Sequence, residues 1–355
     1  MANTATLFQR ANDPHCCGMS SISSISFALQ TYIPPIVGGI GLIGNVLTFM
    51  VMNLHHNRRS VMCYYFKVLA TSDALTLLSG FILRYVFILR PEWLQIYAVG
   101  RIFCILFYYF NFLFYNVSIW QVAIIALDRF VVVRYPLRAS SWCTSKRAKV
   151  LVACNLLFHG IAYFPNLFRT SENVRVPNIG SCMLPEWSKW YEFGQDVINT
   201  SLDSVIPVGI ICILNVAIIV SLKQHTSILK DKTGLIHSKS DSKKETTMTL
   251  MLVVVATTLI ILVLPYTVDF LLWSCCMSGY ETAHPGSRAL SFEISFTFCT
   301  LNTSINFFLY SFSSASFRAD LLAIFCCRQR QSATSSARSL TSGSTSNYRT
   351  TTANR

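Results

Sequence analysis

Charge is scarce in this chain. Only 13% of its 355 residues are Asp, Glu, Lys or Arg, against 52% that are hydrophobic, too apolar a balance for an ordinary soluble domain. Acid is scarcer still, with 16 acidic residues against 29 basic ones and a net charge of +13. Other absences narrow the chemistry. The opening MANTATLFQRANDPHCCG has no basic stretch followed by an apolar core, so no cleaved leader is expected. It also holds no glycosylation sequon, while Asn116, Asn199 and Asn302 fall inside or at the edge of apolar runs. The histidines show no metal-binding spacing, His55-His56 being followed by scattered single residues. No internal repeat is visible, which argues against an inverted-repeat transporter.

What is present is a series of long apolar runs. Stretches of roughly 20 mainly apolar residues fall near 32–54, 64–89, 101–134, 147–168, 197–222, 248–276 and 288–313. Helix is the default for each, because backbone polar groups in lipid must be satisfied within the segment. The expected fold is an all-α membrane protein, a bundle of seven spans.

The basic residues gather on alternate loops, which argues against nucleic-acid binding. Arg58 and Arg59 are followed by Arg134, Arg138, Lys146, Arg147 and Lys149, then by Lys223, Lys230, Lys232, Lys239, Lys243 and Lys244, and finally by an Arg-bearing tail. The positive-inside bias then puts the N-terminus outside the cell and the tail in the cytosol. Three regions follow: an extracellular arm over 1–31, a membrane domain over 32–327 and a cytosolic tail over 328–355. The loop at 223–245, polar and mixed in charge, is expected to be mobile or to extend a helix into water.

Beyond the last span, residues 317–325 alternate at helical spacing and suit a short amphipathic helix on the inner surface. Cys326 and Cys327 follow directly, a juxtamembrane pair suited to palmitoylation. The tail is Ser/Thr-rich and cannot build a core; phosphorylation would turn it into an anionic patch for basic partner surfaces. Among the 13 cysteines, Cys63, Cys154, Cys212 and Cys299 read as apolar fillers within helices. Cys104 and Cys182 map to the outer face, and joining them would stabilise the fold by on the order of 4 kcal/mol in the loop-entropy model. Cys16-Cys17 and Cys275-Cys276 also face outward, and sequence leaves their connectivity open.

At the end of the third run, Asp128 and Arg129 stand side by side before a basic loop. A charged residue near hydrocarbon costs about 2.5–3.5 kcal/mol on insertion scales, so an ionisable pair there needs a reason. A switch at the membrane surface is the most economical one. Further marks accompany the pair: Gly44-Asn45, Leu69-Ala70-Thr71-Ser72-Asp73, Cys104, Asp128-Arg129-Phe130, Pro207, Leu264-Pro265-Tyr266, and Asn302 through Asn306 to Tyr310. In order and spacing, over roughly residues 32–327, they resemble the rhodopsin-like (class A) G-protein-coupled receptors. Residues 301–310 also look like the invertebrate neuropeptide receptors of the FMRFamide-like group.

The resemblance implies a receptor, not an enzyme, in the plasma membrane. It would bind an extracellular ligand, couple to a heterotrimeric G protein, and meet receptor kinases and arrestin through its tail. Asp73, Ser118, Asn302 and Asn306 would converge on one pocket able to hold a sodium ion. Asp128, Arg129, Glu245 and Tyr310 would form the G-protein switch, with Arg129 shared by Asp128 and Glu245 while the bundle is closed. Pro207 and Pro265 would bend their helices, and a bend is a candidate hinge. The chain departs from the family pattern at Val263, at Asn306-Phe307, near Asn155-Leu156 and at Asn215.

On the same resemblance, Asn111 stands where amine receptors carry an Asp, and Thr300 where opsins carry their retinal lysine; amine and retinal are disfavoured. The outer half offers Arg84, Asp203, Asp269 and Glu293 with Phe107, Tyr108, Tyr115 and Tyr266. The candidate ligand contacts are Arg84, Asn111, Tyr115, Asp203, Asp269 and Glu293. Mixed charge with aromatics suits a peptide, and an Arg-Phe-amide end would bring its guanidinium to the acids. A lipid or other small molecule stays open as the ligand. A channel or an intramembrane enzyme is disfavoured, because there is no ring of pore charges and Asp73 and Asp269 fall at different depths.

Overall fold

A computed structural model describes residues 14–54, 60–81, 97–168, 197–231, 239–272 and 285–325. Arg84, Cys182, Cys275, Cys276, Cys326, Cys327 and the tail lie outside the described residues, as do the side chains of Cys16, Cys17, Cys104, Tyr108 and Glu245. The helices are α1 (Pro14–Met52), α2 (Val61–Phe81), α3 (Tyr97–Arg134), α4 (Pro136–Trp142), α5 (Ser145–Ala162), α6 (Ile206–Asp231), α7 (Lys239–Leu271), α8 (Pro285–Ser313) and α9 (Ala315–Phe325). Apart from the short α4 and α9, they match the seven expected spans one for one.

Five described stretches are long and apolar enough to cross a membrane: Thr31–Met52, Val61–Phe81, Tyr109–Arg134, Val197–Gln224 and Thr249–Leu271. The two weaker spans have visible causes. Lys146, Arg147 and Lys149 crowd the first turns of α5, and α8 is rich in Ser, Thr and Asn. Burial is inverted relative to a water-soluble protein. Ile161, Ile213 and Phe312 are more than 70% exposed, whereas Asn45, Asp73, Asn116, Ser118 and Asn306 are buried. Hydrocarbon is the solvent that makes this arrangement favourable.

The central helix is α3, which contacts α2, α5, α6 and α7, while α1 and α8 pack along each other. Small residues bring that last pair close. A Cβ built on Gly41 would lie 2.8 Å from the Ser304 Cα, and one on Gly44 would lie 2.8 Å from the Phe307 Cβ. Asn45 clasps the seam by donating from Nδ2 to the Thr303 carbonyl at 2.9 Å.

Several ends differ from expectation. Helix α1 starts at Pro14 and runs through Pro34 and Pro35, so much of the expected extracellular arm continues the first helix. The fourth span closes at Ala162 and passes into a 3-10 turn, Phe164–Phe168, at Pro165. Of the two readings open for 223–245, helix extension is the one found among the described residues, α6 reaching Asp231 and α7 starting at Lys239. Helix α9 lies where the amphipathic pattern puts it: the Ser314 hydroxyl accepts from the Phe317 N–H at 3.2 Å, and Phe317 is buried against Tyr310 and Phe307.

Candidate functional site

Mid-bundle, Asp73 is completely buried on α2. It accepts from the Ser118 hydroxyl on α3 and, at 2.8 Å, from Asn306 Nδ2 on α8. Helical periodicity explains the convergence, since Asn302 and Asn306 are four residues apart and share one buried face of α8. Asp73, Ser118 and Asn306 are thus brought together, and Asn302 sits one turn away. Both bonds reach Asp73 from neutral side chains, and the set is rich in the hard oxygen groups that small cations prefer.

Near the C-terminal end of α3, Arg129 Nη2 donates to Asp128 Oδ2 at 2.7 Å, with both side chains buried. This charge-assisted bond stabilises two charges in a poorly solvated place. Beyond α4, the Cys143 thiol reaches the Asp128 carbonyl at 3.9 Å. Burial pushes the Cys143 thiol up to about 11, and the adjacent Asp128 carboxylate adds to the effect. Tyr310 is buried with its ring against Phe66 and Phe317.

The candidate ligand residues divide into three groups. Asn111 is tied to α2, its Nδ2 donating to the Thr76 carbonyl at 3.0 Å and to the Ser79 hydroxyl at 3.1 Å. Tyr115 donates to the Cys299 sulfur at 3.3 Å, so Cys299 is a hydrogen-bond partner as well as a filler. Asp203, Asp269 and Glu293 are each less than 10% exposed, and Asp203 accepts the Tyr163 hydroxyl. These acids are buried within the bundle and do not lie on a wet rim.

A widened turn sets the position of Asp203. Ser201–Val205 forms a π turn in which the Ile206 N–H returns to the Ser201 carbonyl, five residues back. The next donor in that pattern would be residue 207, but Pro207 has no N–H. The Leu202 carbonyl that would have received it takes Trp120 Nε1 instead, at 2.9 Å from α3. Pro207 therefore ends a π turn inside a helix that runs without a break over 197–231, within the helix as the sequence reading placed it.

Sequence reasoning missed the polar cluster around this turn. His159 is fully buried on α5, with Nδ1 2.9 Å from the Asn155 carbonyl and its ring stacked beside Tyr163. Asn155 in turn donates from Nδ2 to the Val117 carbonyl of α3 at 3.1 Å. The available signal was a His, an Asn and a Tyr, each four residues apart on one face of an otherwise apolar helix.

Comparison with known proteins agrees with this geometry. The chain is 29% identical over 214 residues to the alpha-1A adrenergic receptor of Canis lupus familiaris, covering 59% of this chain and 68% of the relative. The Homo sapiens alpha-1A adrenergic receptor is 28% identical over 214 residues, and the match spans less than half of that relative's length, 43%. Neuromedin-U receptor 2 of Homo sapiens is 27% identical over 311 residues, 81% of this chain and 69% of the relative. The family described as 7 transmembrane receptor (rhodopsin family) matches residues 44–310, a stretch that holds Asp73, the Asp128-Arg129 pair and the α8 asparagines within one helical bundle. The chain is a multi-pass membrane protein that belongs to the rhodopsin family of seven-transmembrane receptors.

Proposed function

We propose that the protein binds an extracellular peptide and activates heterotrimeric G proteins by opening a cytosolic cleft between α3 and α7. The observation that carries the ligand class is the state of Asn111. It is an amide held by two bonds to α2, so it offers no carboxylate to a ligand ammonium. The carboxylates Asp203, Asp269 and Glu293 are buried, Asp203 beside the ring of Tyr163, whose hydroxyl donates to it, and such a site would give a peptide's basic residue and aromatic neighbour partners. A peptide reading draws also on the neuromedin-U receptor matches, which cover the larger share of the chain. An Arg-Phe-amide terminus is the narrower form of this proposal.

In the resting receptor Arg129 is held by Asp128, and Glu245 completes the latch from α7. Helix α7 carries Pro265 in its interior, where the missing hydrogen bond leaves a flexible point for the swing. Sodium at Asp73, Ser118, Asn302 and Asn306 would stabilise the closed bundle. In this reading the N-terminus is extracellular, the tail cytosolic and the membrane the plasma membrane. The tail serves receptor kinases and arrestin, Cys326 and Cys327 carry lipid, and Cys104 pairs with Cys182.

The test is a peptide-library screen on cells expressing the chain, reading calcium and cyclic nucleotide. A saturable response to a peptide, lost on replacing Asp269 or Glu293 by the amide, is expected. Silence to peptides with a clear response to an amine or a lipid would overturn the peptide reading.

A further inference from the structure

Asn111 on α3 directs both of its amide hydrogens at the C-terminal part of α2, to the Thr76 carbonyl at 3.0 Å and to the Ser79 hydroxyl oxygen at 3.1 Å. Ser79 is able to accept because its own hydrogen goes to the Leu75 carbonyl at 2.7 Å, the shorter of its two reaches along α2. Each donor thus meets an acceptor. An amide is the group that fits, since a carboxylate of the same shape has no hydrogen for Thr76 and an alkyl group has none for either partner. Gly80 makes the room. A Cβ on it would lie 3.1 Å from the Asn111 Nδ2, closer than side-chain carbons ordinarily pack. The Gly80 φ lies outside the left-handed region, so what position 80 supplies is the missing side chain and not an unusual backbone.

We propose that Asn111 sets ligand specificity as a positioning residue, by clamping the C-terminal part of α2 to α3 across Gly80. The proposal rests on the receptor reading above and deepens it. One turn further along α3, Tyr115 donates to Cys299 of α8, so α3 is tied to α2 at Asn111 and to α8 at Tyr115. The side chains that α2 presents to a ligand stand where the clamp holds them. Asn111 itself has no hydrogen left to give. A ligand carboxylate or carbonyl therefore finds no donor at this position, and the effect of Asn111 on recognition passes through α2.

The test begins without a ligand, as thermal unfolding of the purified full-length receptor in detergent. Gly80→Ala is the decisive variant. Beside a clamped amide the added methyl crowds Nδ2 and Tm falls; in an Asn111→Ala background that contact is gone, and the same methyl leaves Tm unchanged or raises it. A rise in Tm for Gly80→Ala in the otherwise wild-type chain overturns the proposal. Ser79→Ala and Asn111→Ala are each expected to lower Tm by about 2–4 °C, and the double variant to fall by less than the sum, because each removes the same bond. Strict additivity also overturns it.

A merely structural role would stop at stability, whereas a positioning role reaches the agonist. At equal surface expression, Ser79→Ala, Gly80→Ala and Asn111→Ala are each expected to shift the EC50 of the active library peptide in the same direction by about fivefold, and the double variants to shift it no further than the single ones. A shift for Asn111→Ala with none for Ser79→Ala would make Asn111 a direct ligand contact and overturn the positioning role. If peptides are silent and an amine or a lipid activates the receptor, the peptide reading falls, while the same variants run with that agonist still decide the clamp.

Discussion

Asn306 donates its side-chain amide to Asp73 at 2.8 Å, joining α8 to α2 across 233 residues of sequence. Because Asp73 is wholly buried and its two bonds come from neutral groups, a monovalent cation would stabilise its charge far more than solvent does. The purified receptor is therefore expected to unfold at a higher temperature in sodium than in N-methylglucamine. Asp73→Asn should abolish the difference while leaving the fold intact. Equal unfolding temperatures for the wild type in the two salts would remove sodium from the site.

The seam between α1 and α8 has no room for a methyl group at two positions. Gly41→Ala would force the Ser304 backbone away, and Gly44→Ala would push on Phe307. Overpacking of this kind costs about 1–3 kcal/mol. Gly39→Ala is the control, since nothing lies within 4 Å of its added carbon. Unfolding temperature should fall for the first two variants and hold or rise for the third.

Tyr163 and Asp203 bridge the end of α5 to the π turn. Removing the hydroxyl with Tyr163→Phe takes one of the hydrogen bonds from a buried carboxyl, at a cost of about 1–3 kcal/mol. A double-mutant cycle with Asp203→Asn should show coupling of about 0.5–3 kcal/mol, measured by thermal unfolding. Coupling near zero would mean that the bond contributes nothing in the folded receptor.

Glu245→Gln tests the latch. Loss of an ion pair worth about 1 kcal/mol shifts a two-state equilibrium roughly fivefold. Basal signalling should rise by that order at equal surface expression. Unchanged basal signalling would leave Arg129 held by Asp128 alone.

Cys143 should be a slow nucleophile despite its place in the link between α4 and α5. Its thiol titrates near 11 in the folded chain against an ordinary 9.0, so the reactive thiolate is a small minority at neutral pH. Iodoacetamide labelling followed by mass spectrometry should accelerate as pH rises from 9 toward 11. The sign for stability is the reverse: this thiol's contribution is intact below pH 9 and is lost as pH climbs through the folded value.

Much of this architecture could be read from the chain before any coordinates, for a physical reason. Lipid forces each crossing to be one continuous helix, so the hydropathy runs and the asymmetry of Lys and Arg report spans almost directly. Asp73 was legible because a carboxylate in hydrocarbon has few explanations, while Ser118 and Asn306 came as its partners only through the family resemblance. The polar cluster of Asn155, His159 and Tyr163 was not, because Asn155 and Tyr163 pair with groups elsewhere in the bundle, which leaves no local pattern, and His159 turns back on the carbonyl of its own helix. The π turn was equally hidden: it depends on Pro207 withholding an N–H and on Trp120 supplying one from α3. Helix ends were shifted where sequence offered polarity in place of a breaker, as at 223–231 and 239–247.

The turn at Ser201–Val205 also preserves a reading frame. It accommodates one residue more than an α turn would, so the extra residue is absorbed locally and the helix on either side keeps its register. Deleting a single residue there would restore α geometry and exchange only the side chains of the turn itself, Asp203 among them. The rest of the span would keep the same face toward the interior. A lineage could thus change what such a receptor recognises by altering chain length at one turn, without disturbing the packing of the helix that carries it.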